Sequence, residues 1–86
     1  MDGVFSDNAA QKRFEYKLPD GTVIANYRLT DSRLYIDYVE APPSLRGSGA
    51  AGQIMQEIVM YANTEKLELI PICGYAVSWL KRHEKD

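Results

Sequence analysis

The stretch Pro42-Pro43-Ser44-Leu45-Arg46-Gly47-Ser48-Gly49-Ala50-Ala51-Gly52 runs straight into the apolar-periodic segment from Gln53 to Thr64, and its reading decides the fold. Two prolines stop the extended segment before it, and a loop of small residues then opens into a helix. Such a loop leaves backbone N–H groups at the helix start without partners, where the helix dipole adds partial positive charge. Gly47 and Gly49 have no side chain to block an approaching phosphate, and Arg46 puts a permanent cation at the mouth. The stretch reads as a phosphate or pyrophosphate cradle.

Upstream, Phe14, Tyr16 and Leu18 alternate with charged residues from Lys12 to Leu18, the period of a half-buried strand. Pro19-Asp20-Gly21 is a turn, and Val23, Ala25, Tyr27 and Leu29 then alternate in a second strand that returns antiparallel. After the Thr30-Asp31-Ser32 turn, Leu34 to Ala41 forms a third strand, ended by the two prolines. Met1 to Gln11 is polar and reads as a loose lead-in. Downstream, a helix from about Gly49 to Thr64 places Ala51, Ile54, Met55, Ile58, Val59 and Ala62 on one stripe, with Gln53, Gln56 and Glu57 facing out. Leu67 to Ile72 is a fourth strand, parallel to the third because a helix lies between them. Gly74 to His83 is a shorter helix with Lys81-Arg82-His83 at its C-terminal end, where the dipole favours cations. Glu84 to Asp86 is tail. The order is β-β-β-α-β-α: a small α/β fold with antiparallel N-terminal strands and one parallel pair around the main helix, in a single domain over residues 1–86.

Eighty-six residues leave no room for a second core. A net charge of −2, from ten basic and twelve acidic residues, argues against a nucleic-acid partner. No apolar run approaches the ~20 residues of a membrane span, and no signal-peptide pattern opens the chain. The single cysteine, Cys73, cannot form an internal disulfide. These features predict a cytoplasmic protein without membrane contact, as a monomer or weak homodimer. No grouping of histidine, cysteine and carboxylates has metal-ligand spacing, so no metal is expected.

Two phosphate-loop patterns compete. Gly47 to Gly52 matches G-x-G-x-x-G, with Glu68 about twenty residues on, the dinucleotide-binding arrangement. Against it, Pro42 to Arg46 separate the glycines from their strand, and Glu68 lies near the start of the next strand rather than its end. Two hairpin strands also precede the unit, and the chain cannot supply two mononucleotide-binding halves. A Walker A loop is excluded, because no Gly-Lys-Ser/Thr follows.

The second pattern, R/Q-x-x-G-x-G/A, is met by Arg46 to Ala51 and is the pyrophosphate motif of the GNAT superfamily of acetyl-CoA-dependent N-acetyltransferases. The chain resembles the compact, single-domain members of that superfamily from about Phe14 to His83. In those a P-x-x-L-R/K-G-x-G loop follows a strand, a P-x-C closes the strand after the long helix, and a basic-His cluster ends the last helix. Here these are Pro42 to Gly49, Pro71-Ile72-Cys73 and Lys81-Arg82-His83. Tyr38 and Val39 stand where the pattern has histidine and threonine, and Glu84 where it has proline.

The resemblance implies that Arg46, Gly47, Ser48, Gly49, Ala50 and Ala51 hold the pyrophosphate of acetyl-CoA in a cleft between the third and fourth strands. It also implies acetyl transfer to an amine, small molecule or peptide. Cys73, between a strand and a helix N-terminus, is the expected acyl acceptor or proton donor, beside the plain alternative of a small packed residue. Glu40 and Asp37, near the end of the third strand, are candidate bases, since a protonated amine has no lone pair with which to attack. Tyr75 and Trp79 are placed to line the acyl or acceptor pocket or to pack the core. A Cys73–His83 dyad is excluded by about 15 Å of helix. The alternatives to an enzyme are a non-catalytic coenzyme A-binding module and an interaction module that kept the fold.

Overall fold

The alternating strands and the striped helix each have one apolar face, and they cover one another. The computed structural model describes residues 3–83. Its elements are β1 (Val4–Asn8), β2 (Arg13–Leu18), β3 (Gly21–Thr30), β4 (Arg33–Glu40), a 3-10 turn (Pro43–Leu45), α1 (Ala50–Glu65), β5 (Glu68–Pro71) and α2 (Gly74–Arg82). The strands form one sheet in the order β1-β2-β3-β4-β5, antiparallel except for the parallel β4–β5 pair. Among the described residues no helix is long and apolar enough to cross a membrane.

The fold is the expected small α/β domain, with one correction. The lead-in is not loose throughout, because Val4–Asn8 pairs along β2 from Val4↔Lys17 to Asn8↔Arg13. Two apolar residues are too few to show a period, so side-chain contacts to the rest of the sheet reveal this strand. The Phe5 ring stacks on Phe14 at 5.3 Å, and Tyr27 Oη donates to Asp7 Oδ1 at 2.6 Å. Burial first, and then that bond, push the Tyr27 hydroxyl pKa upward. The expected third and fourth strands are β4 and β5. The Glu84–Asp86 tail, with Met1 and Asp2, lies outside the described residues.

One sheet face, with Phe14, Val23, Ala25, Leu34 and Ile36 fully buried, packs against Ala50, Ile54, Met55, Ile58 and Ala62 of α1. Ala51 and Val59 of the expected stripe are half-buried beside it. Phe14 sits at the centre of an aromatic cluster, 4.4 Å from Tyr27 and 5.1 Å from Tyr61. Ala76 and Trp79 of α2 complete the core. The other face is polar. Glu15 accepts from Asn8 and Arg13 at 3.0 and 2.9 Å, and Arg28 clasps Asp37 through two hydrogen bonds. At the sheet edge, Pro71 lacks an N–H and blunts β5 against further pairing.

Phe14→Ala should destabilise the fold by about 3–5 kcal/mol in urea denaturation, because three elements lose their shared ring. The hydrogen bonds from Asn8 and Arg13 hold the Glu15 carboxyl below its usual 4.5. The associated stability is present above that value and is lost as pH falls through the lower folded one. Glu15→Gln should therefore flatten the acid limb of a stability–pH curve and lower stability at neutral pH.

Candidate functional site

The site begins where β4 and β5 part. Their last pair is Ile36↔Pro71, and the Ile36 carbonyl accepts from both Ile72 N–H at 2.9 Å and Cys73 N–H at 3.2 Å. Beyond it β4 continues as Asp37–Glu40 without β5, while the chain turns into α2. The register with β3 also slips there: Asn26 faces Tyr38 but Tyr27 faces Ile36, so Asp37 is the extra residue of a bulge. Val39 then lies opposite Ala25, and Tyr38 and Glu40 lie opposite Asn26 and Ile24. The result is a wedge of about 250 Å3, lined by Tyr38, Val39, Glu40, Ala41, Arg46, Ala51 and Tyr75.

The phosphate-type loop forms the rim of this wedge. Leu45 is buried and anchors the loop, while Ser44 Oγ donates to Asp20 O at 2.6 Å and ties it to the β2–β3 turn. Gly47 and Gly49 have φ of +81° and +89°, left-handed values that favour glycine, and a Cβ on either would meet nothing within 4 Å. Gly49 is the N-cap of α1 without a side-chain cap. Among the described residues no acceptor meets the N–H groups of Gly47, Gly49, Ala51 and Gly52. Ser48 is a brace, since Oγ donates to Leu45 O at 2.5 Å and accepts from Ala50 N–H at 3.2 Å. The Ala50 methyl is buried, so neither its side chain nor its N–H faces outward for a ligand. Arg46 is exposed and donates from Nε to Ala41 O at 3.2 Å, which holds its cation at the wedge.

The model of the GCN5-related N-acetyl-transferase family matches residues 13–86, taking in β2 to β5, the loop and the wedge. The chain belongs to this family. Comparison with curated proteins finds no match.

The remaining candidates of this N-acetyltransferase-family domain divide by location. Glu40 is exposed at the wedge and Tyr75 lines it, with burial raising the Tyr75 hydroxyl pKa above its usual 10.0. Asp37 does not share that position, because Arg28 engages both its oxygens and holds its carboxyl below the usual range. Cys73 is the N-cap of α2, half-buried, and its Sγ accepts from Ala76 N–H at 3.4 Å. It is not among the residues lining the wedge. Trp79 is buried, and His83 stacks on it at 3.9 Å, away from the wedge. Gly52 carries a role that its sequence pattern disguises. A Cβ there would meet Trp79 Nε1 at 3.2 Å and Tyr75 Oη at 3.9 Å, so its absence seats α2 against α1.

A helix-interior glycine normally costs ~1 kcal/mol relative to alanine. Gly52→Ala should nevertheless fail to raise the melting temperature, because the buried Trp79 has to give way. Fluorescence of Trp79, the chain's one tryptophan, should shift with it. A higher melting temperature with unchanged fluorescence would mean that α2 is not seated on Gly52.

Proposed function

We propose that the wedge between β4 and α2 binds acetyl-CoA and that the domain transfers the acetyl group to an amine. The observation that carries this reading is the open cradle of Gly47 and Gly49, where N–H groups at the start of α1 without a partner among the described residues adjoin the wedge. Pyrophosphate fits that cradle as an anion, with Arg46 beside it. A volume of about 250 Å3 suits only the thiol end of the coenzyme, leaving its phosphates outside on the loop. The amine acceptor approaches the thioester across β4, where Glu40 is the carboxylate free to take its proton.

Cys73 has two possible parts. Its sulfur attacks the acetyl carbonyl, the coenzyme leaves as a thiol after gaining a proton, and the amine then resolves the protein thioester. Alternatively the thiol donates its proton to the departing coenzyme thiolate while the amine attacks directly. A second reading, a coenzyme A-binding module with little turnover, is favoured by Tyr38 and Val39 on the wedge and by the absence of Cys73 from its lining.

Coenzyme A at 100 times its dissociation constant should stabilise the fold by about 2.7 kcal/mol in a thermal-shift assay, and NAD should not. Gly49→Val should abolish that shift, with a folding cost of about 1–2 kcal/mol for a branched residue at positive φ. Stabilisation by NAD alone overturns the assignment. Cys73→Ala should keep coenzyme binding and lose most turnover, and mass spectrometry of the parent with acetyl-CoA separates the two routes, because only the first leaves an acetyl adduct. Full activity in Cys73→Ala reduces the residue to packing, and parent protein that binds coenzyme without turnover supports the second reading.

A further inference from the structure

A second, larger cavity lies further along the helices than Gly52. It is a groove of about 720 Å3 between α1 and α2, with Leu69 and Pro71 of β5 beneath it. Val59 and Met60 of α1 face Val77 and Leu80 of α2 across it. Met60 is 58% exposed and Val77 43%, which leaves an apolar surface open in a domain that has little core to spare. The size is that of a small-molecule site, and the lining is chiefly aliphatic.

Its charge is one-sided. Among the described residues no carboxylate lines the groove, although the chain as a whole is acidic. Lys81 lines it and has no ion-pair partner among the described residues. The C-terminal dipole of α2 offsets only about half a charge, less than Lys81 and Arg82 supply. His83 lines the same end and is held in place, with Nδ1 donating to Trp79 O at 2.8 Å and the ring stacked on the indole. An extended peptide is a poor fit, because the outer edge of β5 carries Pro71 and cannot complete a ladder.

We propose that this groove binds an amphipathic carboxylate, an unbranched alkyl acid with its chain along Leu69 and Met60 and its head at Lys81. The site is separate from the wedge and does not depend on acetyl transfer. Trp79 lines the groove and reports its occupancy. Dodecanoate below its micelle concentration should change Trp79 fluorescence saturably, and dodecyltrimethylammonium should bind much more weakly. Lys81→Glu should weaken dodecanoate by about tenfold, the worth of one charge-assisted contact. Met60→Asp, an exposed change on the opposite wall, should weaken it further while the chain stays folded.

The proposal fails if dodecanoate gives no saturable response, or if the alkyl cation binds as well and both variants behave as the parent. It also fails if coenzyme A displaces dodecanoate competitively, since the ligand then sits in the wedge. A concentration-dependent dimer that Met60→Asp dissociates, without a dodecanoate response, would assign the groove to a second copy of the chain instead.

Discussion

The structure depends on the burial of the α1 stripe against one face of the sheet. Ile54, Met55 and Ile58 are fully buried against strands whose own inward residues, Phe14, Leu34 and Ile36, are equally inaccessible. In a domain of this size that single interface carries most of the apolar burial, so little freedom remains in where α1 begins. Its first turn is held at the end of β4, and the N–H groups that no described residue satisfies are delivered to the rim of the wedge. The packing of the core and the placing of the loop are one constraint seen from two ends.

The wedge has an equally local cause. Two successive N–H groups, of Ile72 and Cys73, converge on the Ile36 carbonyl, which ends the parallel ladder. The bulge at Asp37 then re-aims β4, so Ile36 and Val39 both turn toward the helices while Tyr38 and Glu40 turn away. Asp37 itself is taken up by Arg28 on the polar face. Of two acidic residues three apart in sequence, one is consumed by the sheet and the other is left at the opening.

Most of the fold was legible because its signals are local. Alternation marked β2, β3 and β4, a 3.6-residue stripe marked α1, and the helix between β4 and β5 implied their parallel pairing. Strand β1 was not legible, because Val4–Asn8 has only two apolar residues and its anchors, Phe14 and Tyr27, are distant in sequence. The Asp37 bulge was hidden for a related reason: a one-residue slip shows only in the register with β3, while Leu34-Tyr35-Ile36-Asp37-Tyr38-Val39 reads as an unbroken strand. In the loop, the residue types suggested a cradle, but not that Ser48 and the Ala50 N–H would be spent on each other.

The glycines show why a pattern of letters under-determines a site. Gly47, Gly49 and Gly52 fill G-x-G-x-x-G, yet they do different things. Gly47 and Gly49 adopt left-handed backbone that a branched side chain resists, and the space before them is empty, as an approaching anion requires. Gly52 lies inside α1, where glycine is a liability for the helix. Its Cβ position is instead closely approached by the Trp79 indole, at 3.2 Å, and bordered by the Tyr75 hydroxyl at 3.9 Å. In a dinucleotide fold the third glycine serves close packing of helix on strand, whereas here the close approach is helix on helix. That approach places the Tyr75 hydroxyl beside the first turn of α1, where Tyr75 and Arg46 both line the wedge. The residue that completes the dinucleotide-like pattern therefore also shapes the site by admitting the second helix.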